Sequence, residues 1–291
     1  MLLRAYAALV LLGIIWGSNF LYMKWATDLI SPAQTVFIRI FFAFLLILIV
    51  ALYTKSISFK QLRHLKHFIT MSILAATLYY YGIVAGTALL PASIAGLLSG
   101  IIPIFTLLTA LIFLRDEQLS IGILVGVTLS FLGVILSARP WEATEYISLM
   151  GIFWIMVGSL SFGMSFVYAR YYLFSLNIPS IALATWQLGI SALTLLIFTD
   201  FTGITAIASD IHVFLGVIIG LGILGTGGAF LLYYYIIQKL GPIKASVATY
   251  IAPVVAVIIG YFMGENVTII EWLALTLIIG GVVVIQTTKL R

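Results

Sequence analysis

Apolar residues fill long uninterrupted stretches of this chain, and polar residues gather in the short joints between them. Ten stretches have the length, about 20 residues, that an α-helix needs to cross the hydrocarbon core of a bilayer. They lie at residues 5–23, 34–53, 68–88, 93–114, 121–138, 149–172, 181–199, 213–237, 245–263 and 269–286. The ten-residue alternation of membrane β-strands is absent. The pattern predicts an all-α integral membrane protein with ten transmembrane helices.

Composition supports lipid as the solvent of this chain. Of its residues 63% are hydrophobic and only 8% are charged, whereas a soluble domain carries about 25% charged residues. A net charge of +5 is compatible with a nucleic-acid partner, but cytoplasmic loops of membrane proteins account for it better. We therefore expect a lipid bilayer and no nucleic acid around the chain. The absence of cysteine excludes disulfides and thiolate metal sites.

The joints between the apolar stretches differ in charge from one side of the membrane to the other. If ten helices are threaded from residue 5 onward, 11 of the 14 basic residues fall on the side of both termini. Seven of the nine acidic residues fall on the opposite side. An excess of Lys and Arg marks the cytoplasmic side. The sequence predicts a multi-pass membrane protein with both termini in the cytoplasm.

The second half of the chain repeats features of the first at an offset of 146 residues. Trp16 matches Phe162, Gly17 matches Gly163, Phe20 matches Phe166, Tyr22 matches Tyr168, Met23 matches Ala169 and Lys24 matches Arg170. The repeat unit contains five helices, and because five is odd the second copy enters the membrane from the opposite face. We predict two inverted five-helix repeats, residues 1–140 and 141–291, around a central cavity.

Several motifs occur in order along the two halves. They are WGSNF at residues 16–20, Arg39 in the second helix, Pro103 and Pro253 within helices, and Glu117 and Glu265 ahead of the last helix of each half. In these motifs the chain resembles the EamA-type, ten-helix branch of the drug/metabolite transporter superfamily, over almost its whole length. The resemblance implies a metabolite exporter of the inner membrane and leaves its substrate open.

One face of the first helix and its match in the sixth carry the first candidate site. Trp16, Asn19, Phe20 and Met23 share a face by helical spacing, and Phe162, Ser165, Phe166 and Ala169 share the equivalent face. We predict that both faces line the cavity and that Trp16, Asn19, Phe20, Phe162 and Ser165 bind substrate. The alternative is helix packing, in which Asn19 makes an interhelical hydrogen bond. Both interpretations stay open for Asn19.

Two prolines lie at matched positions inside helices. Pro103 and Pro253 each release the carbonyl group four residues earlier, of Ser99 and Thr249. Interrupted helices at matched positions of two repeats point to a transport site, so we predict gating or hinge roles for both prolines. We predict substrate contacts for Ser99, Thr249 and Tyr250. A plain packing kink is the alternative.

Tyrosine triplets and one arginine complete the candidates. Tyr79 and Tyr80 lie well inside the third helix and are predicted to line the cavity, whereas residues 233–235 lie near a helix end and fit an interfacial belt better. Arg39 lies close to the start of the second helix. We expect it to snorkel or cap carbonyls there, with contact to a substrate carboxylate as the alternative.

The sequence favours transport over chemistry. It contains no HExxH motif and its three histidines lie in joints, so we expect no enzyme activity, no metal and no cofactor. No acidic residue occupies the middle of a span, which favours a secondary transporter working as a uniporter, by alternating access around an uncharged site. The aromatic collar suits a small-molecule substrate, with amino acids or related compounds as the first hypothesis. A drug or nucleobase exporter and a non-transporting membrane scaffold or assembly subunit are the alternatives, and no oligomeric state is predicted.

Overall fold

The computed structural model describes residues 2–90, 92–114, 120–138, 148–252, 254–255 and 269–288. Within these ranges the backbone forms helices and connecting loops, and no β-strand. The predicted all-helical class is therefore confirmed. Six helices are long and apolar enough to cross a membrane, and three further apolar helices are shorter. The count of ten spans stays a prediction. Pro253, Glu117, Glu265 and the joint between the two predicted halves lie outside the described residues.

The helices follow one another with short connections. They are α1 Leu2–Thr27, α2 Pro32–Tyr53, α3 Phe59–Leu89, α4 Ala92–Ser99, α5 Ile102–Phe113, α6 Ile121–Ala138, α7 Leu149–Leu176, α8 Ser180–Phe198, α9 Ile211–Leu240, α10 Pro242–Ser246 and α11 Ile269–Thr287. After α10 the backbone is helical again at residues 248–252. Most of these helices pair closely with a helix that is distant in sequence.

The predicted fourth span, residues 93–114, is two helices and not one kinked helix. The α4 helix ends at Ser99, and α5 begins at Ile102 with Pro103 in its first turn. Proline is accommodated there because the first backbone N–H groups of a helix have no partner within the helix. The expected kink at Pro103 is thus a complete break next to the middle of the span. Whether the break moves during function stays a prediction.

The start of α2 is fixed by its own sequence. The Ser31 side chain accepts a hydrogen bond from the Gln34 amide, and the Gln34 side chain accepts one from the Ser31 amide. This capping box satisfies two donors that a helix start leaves free. The side-chain nitrogen of Gln34, Nε2, donates to the backbone carbonyl groups of Asp200 and Thr202, both at 2.8 Å. These bonds tie the start of α2 to the loop after α8.

Contacting residue pairs give the relative direction of neighbouring helices. The antiparallel pairs are α1 with α9 (Tyr22 beside Gly216, Asn19 beside Gly225), α2 with α8 (Gln34 beside Asp200, Phe44 beside Gly189) and α3 with α7 (Gly82 beside Gly158, Gly86 beside Gly151). The parallel pairs are α2 with α9 (Arg39 beside Gly222, Ala43 beside Gly227) and α3 with α8 (Gln61 beside Trp186, Ser72 beside Ser191). These helices form the centre of the molecule.

The α6 and α11 helices pack closely against each other. Gly126 of α6 lies against the Gly281 carbonyl and Ile285 of α11. Ser130 donates a hydrogen bond to the Ile278 carbonyl at 3.2 Å. Small residues let two backbones approach closely in a membrane. This seam contains mainly packing contacts and one interhelical hydrogen bond among the residues that the structure describes.

The surface of the described chain is apolar, as a lipid-facing surface must be. Large side chains such as Ile112, Leu193 and Phe198 are 67%, 61% and 80% exposed. Polar residues, by contrast, are buried in the centre: Arg39, Gln187 and Ser165 are all at most 1% exposed. The distribution is the reverse of that in a soluble protein. The polar residues of the interior are therefore the candidates for function.

Candidate functional site

A small cavity lies in the interior where helices of both sequence halves meet. Its lining residues are Trp16, Asn19, Phe20 and Met23 of α1, Arg39 of α2, Tyr79, Tyr80 and Ile83 of α3, Ser99 of α4, Ile102 of α5, and Thr249 and Ala252 of the 248–252 helix. The volume open to the centre of a water molecule is about 20 Å³, which is room for one water. At this volume the cavity is too small for a metabolite.

The α1 helix presents the face that its sequence indicates. Trp16, Asn19, Phe20 and Met23 line the cavity together, at the spacing of one helical face. Gly17 lies on the neighbouring face, where an added Cβ would stand 2.9 Å from the Val255 side chain. The glycine therefore allows α1 to pack against Ala252 and Val255 and to bring its aromatic face to the cavity.

Three residues of the cavity wall carry polar atoms without a hydrogen-bond partner. Among the described residues these atoms are Trp16 Nε1, Asn19 Oδ1 and Arg39 Nη2, all buried. An unpartnered buried polar atom typically destabilises a fold by about 1–3 kcal/mol. Three such atoms around one cavity lower the free energy of unfolding, and packing of the cavity wall does not account for their position. They include two donors and one acceptor.

Arg39 corrects an expectation from the sequence. Its side chain does not snorkel towards a membrane boundary, because it is 1% exposed and lies in the cavity wall. Nε donates to Thr226 Oγ1 at 3.1 Å, Nη1 lies 3.5 Å from Met23 Sδ, and Cζ lies 3.8 Å from the centre of the Tyr80 ring. Thr226 and Tyr80 thus draw the guanidinium inward. The expected uncharged site contains one positive charge.

An aromatic cluster closes one end of the cavity. The Tyr79 ring stacks on Phe162 with centroids 3.9 Å apart, and Phe162 stacks in turn on Tyr233 at 5.6 Å. Phe166 and Phe230 pack against the same Tyr233 ring at 4.8 and 5.6 Å. We call these five rings the aromatic floor. Sequence reasoning placed Tyr233 in an interfacial belt, which is wrong, since it is 1% exposed.

Wide helical turns occur in matched elements of the two halves. In α3 the residues Ile73–Thr77 form a π-helix just before Tyr79 and Tyr80. In α9 the much longer segment Gly216–Gly228 is a π-helix and contains Thr226, the partner of Arg39. Such turns are rare and frequently occur at functional sites. Both segments shape the cavity wall by setting the direction of the residues that they carry or precede.

Glycine within the α9 π-helix makes room for a polar side chain of α1. A Cβ added to Gly225 would stand 2.5 Å from Asn19 Oδ1 and 2.6 Å from the Gly220 carbonyl oxygen. Real Cβ atoms are not found so close to other atoms. The Asn19 amide therefore lies directly over the bare backbone of Gly225. The glycine-rich sequence of this segment has a local steric reason.

The predicted site residues fall into three groups. Trp16, Asn19, Phe20, Tyr79, Tyr80, Ser99 and Thr249 line the cavity together with Arg39. Phe162 and Ser165 lie one layer away, in and behind the aromatic floor. Tyr250 faces a different region, where its hydroxyl donates to the Val127 carbonyl at 3.3 Å. Contact of any of these residues with a substrate stays a prediction.

Three lining residues were not predicted from the sequence. Ile83, Ile102 and Ala252 are apolar and complete the wall. Met23, by contrast, lies on the predicted face of Trp16 and Asn19, one further turn along the helix. No comparable signal marks the other three, because apolar residues of a membrane helix have the same character on all sides.

A bundle of apolar helices around a buried, partly polar cavity is the architecture of a membrane transporter. The model of the EamA-like transporter family matches residues 3–139 and again residues 149–287. The chain therefore belongs to the EamA-like transporter family, within the drug/metabolite transporter superfamily. It is a multi-pass membrane transporter.

Named relatives are similar along nearly the full chain. A protein of Archaeoglobus fulgidus named an uncharacterized transporter is 25% identical over 279 residues, covering 96% of this chain and 95% of the relative. The uncharacterized inner membrane transporter YedA of Escherichia coli K12 is 28% identical over 306 residues, covering 99% and 92%. A crystal structure of a protein with 20% identity matches with a TM-score of 0.72, over 97% of this chain and 96% of that one. The two chains share a fold.

Proposed function

We propose that this chain exports small metabolites, amino acids or related compounds, across the inner membrane by alternating access. The observation that carries the proposal is the cavity with three unpartnered polar atoms in a chain of a transporter family. A polar group buried in a membrane without a partner is expensive and usually functional. A metabolite with its own polar groups supplies the missing partners when it binds.

The relative directions of the helices support two inverted halves. The α1 helix runs opposite to α9, which runs with α2, and α2 runs opposite to α8. In turn α8 runs with α3, and α3 runs opposite to α7. The first long helix of each half, α1 and α7, therefore points in opposite directions across the bilayer. This is the arrangement that an odd number of helices per repeat requires.

Matched glycines support the same proposal. Gly17 of α1 packs against Ala252 and Val255, and its match Gly163 of α7 packs against Phe105 and Thr106. The pairs of contacting residues are thus themselves separated by nearly the same offset as the glycines. In inverted-repeat transporters, rocking of one half against the other around the shared site exposes it to each side in turn. Pro103 and Pro253, close to these contacts in sequence, are our candidates for hinges.

The composition of the cavity supports transport without proton coupling. Among the described lining residues there is no Asp, Glu or His. Proton-driven carriers place such groups within the membrane. We infer uniport down a gradient, with the excess of basic residues keeping both termini in the cytoplasm. Efflux from proteoliposomes should then proceed without an imposed pH gradient, and strict dependence on such a gradient would contradict uniport.

The experiment is a metabolite screen of the medium of cells with and without the protein. Expression should raise the extracellular level of a small set of amino acids or related compounds. Export of nucleobases or drugs alone would replace the proposed substrate class. Abundance in the membrane is measured in parallel, since a scaffold would alter assembly and leave every metabolite unchanged.

A matched pair of tryptophans controls for general damage. Trp16 lines the cavity, whereas Trp272 on α11 is 58% exposed on the outer surface of the bundle. Trp16→Ala should abolish most export at normal abundance. Trp272→Ala should leave export near the wild-type rate. Equal effects of both substitutions would show that the loss does not come from the cavity.

A further inference from the structure

Arg39 is a buried charge without a counter-charge in the described structure. The one ion pair among the described residues joins Lys24 and Asp28 at 3.9 Å on the surface. Within a membrane, ionisable side chains almost always pair with each other or with backbone carbonyls, and their presence marks a substrate or ion path. Met23, Tyr80 and Thr226 contact the guanidinium, and none of them neutralises it. The missing partner is an anion.

Contacts on two sides fix the guanidinium of Arg39, while one of its terminal nitrogens makes no hydrogen bond in the described structure. Thr226 accepts from Nε, and the Tyr80 ring lies beneath Cζ. Nη2 has no partner among the described residues. Arginine binds carboxylates through two parallel N–H groups, and its planar form makes it suited to that task. The fixed guanidinium thus keeps one donor free at the cavity wall for a ligand.

Trp16 and Asn19 in the cavity wall indicate which further groups the ligand carries. Trp16 Nε1 is a second donor and Asn19 Oδ1 is an acceptor, and both lack partners in the described chain. Two donors suit a carboxylate, and one acceptor suits a group that donates, such as an ammonium. The aromatic faces of Trp16, Tyr79 and Tyr80 are also compatible with a cation nearby. The set is complementary to a zwitterion.

We propose that the exported molecule is an α-amino acid whose carboxylate binds Arg39 and Trp16 and whose ammonium binds Asn19. This inference rests on the proposed export function and makes its substrate class specific. It selects amino acids over nucleobases, amines and neutral drugs, which carry no carboxylate. At the volume seen here, the cavity must widen before it admits the ligand.

The test compares wild-type binding of four compounds that share one ring. Purified full-length protein in liposomes is titrated with L-phenylalanine, with phenylalaninamide and 2-phenylethylamine, which lack the carboxylate, and with 3-phenylpropionate, which lacks the ammonium. L-Phenylalanine should bind most tightly, and each loss of a charge-assisted contact should weaken binding by roughly 10- to 100-fold. Binding of the amines at least as tight as that of L-phenylalanine would overturn the proposal.

Because smaller or larger side chains also suit the cavity, the remaining protein amino acids are titrated in the same way. The proposal requires at least one of them to bind more tightly than its own amide. If no amino acid binds better than its amide, the proposal is overturned. This arm uses the wild-type chain and does not depend on the folding of any variant.

Variants then locate the carboxylate contact. R39Q should weaken the best-binding amino acid by roughly 10- to 100-fold and leave 2-phenylethylamine unchanged, while R39K should recover part of the loss. Arg170→Gln, which removes an exposed arginine at the end of α7, should change nothing. Equal amino-acid binding by wild type and R39Q would contradict the assignment.

Transport measurements separate this inference from the proposed function. Arg39-dependent amino-acid binding without any flux would leave the carboxylate contact of Arg39 standing and overturn export. Flux of uncharged compounds at equal rates in wild type and R39Q would leave export standing and overturn the inference.

Discussion

The two matched faces of α1 and α7 have related sequences and opposite environments. On α1, Trp16 and Asn19 line the cavity and each has an unpartnered polar atom. On α7, Phe162 is stacked within the aromatic floor, and Ser165 Oγ bonds both the Phe162 carbonyl at 2.6 Å and the Tyr233 hydroxyl at 3.0 Å. The α1 face keeps unpartnered polar atoms at the cavity, whereas the polar atom of the α7 face is paired within the protein.

Alternation in an inverted-repeat transporter would explain this difference between the α1 and α7 faces. If the halves exchange conformations, the face of α1 becomes sealed when the face of α7 opens. On this hypothesis the structure represents one of two states. Equivalent substitutions on the two faces should therefore change the stability of the protein in opposite directions.

The largest effect is expected at Gly225. An added methyl would stand 2.5 Å from Asn19 Oδ1 and 2.6 Å from the Gly220 carbonyl oxygen, and would displace the Asn19 amide. Gly225→Ala should lower the export rate roughly 100-fold, as misplacement by about 1 Å can do. Export of the best substrate from cells of equal protein abundance measures it. Gly228→Ala is the control, because its methyl makes only an ordinary contact at 3.6 Å with the Ile223 carbonyl oxygen.

A smaller effect on transport is expected at Asn19 itself. Asn19→Leu removes the unpartnered Oδ1 while it keeps the volume of the side chain. Export should fall roughly 10-fold, as expected for one lost ligand hydrogen bond. The free energy of unfolding should rise or stay constant, since an unpaired buried acceptor is gone. A variant that unfolds more easily in a thermal assay would show that Asn19 is a structural residue.

The equivalent change on α7 should have the opposite sign in stability. Ser165→Ala removes a partner of the Tyr233 hydroxyl on the α7 face. The free energy of unfolding should fall by about 1–3 kcal/mol, because the buried hydroxyl of Tyr233 is left unpaired. Thermal unfolding in detergent, measured beside Asn19→Leu, tests it. Stability shifts of the same sign in the two variants would remove the contrast between the faces.

The smallest effect is expected in the seam between α6 and α11. Ser130→Ala deletes the hydrogen bond to the Ile278 carbonyl, and Ser130 is not among the residues that line the cavity. Interhelical hydrogen bonds in membranes contribute about 0.6 kcal/mol on average. Export should be unchanged and thermal stability slightly reduced. A large loss of export would mean that this pair moves with the cavity.

The sequence predicts the helical class and most of the cavity wall because these follow from local patterns. Apolar length identifies the spans, and helical spacing places Trp16, Asn19 and Phe20 on one face. The pairing of Gly17 with Gly163 was also visible in the repeat. Each of these features is set by residues within a few turns of one another or by simple self-similarity.

The sequence does not predict features that depend on distant partners. The inward direction of Arg39 is decided by Thr226, which lies 187 residues away. Tyr250 turns from the cavity because the Val127 carbonyl, 123 residues away, accepts its hydroxyl. The burial of Tyr233 depends on stacking with Phe162. From the sequence alone, a polar side chain near a helix end has several equally plausible orientations, and only its distant neighbours in the fold select one.

The most direct test of alternation between inverted halves uses two single cysteines. The natural chain has none. Met23 lines the cavity, its match Ala169 lies in the C-terminal part of α7, and both side chains are buried. A membrane-impermeant maleimide should label Met23→Cys from one side of oriented vesicles and Ala169→Cys from the other. In the double variant, a bulky label at Met23→Cys should slow labelling of Ala169→Cys. Labelling of both from the same side, or at rates independent of each other, would contradict the account.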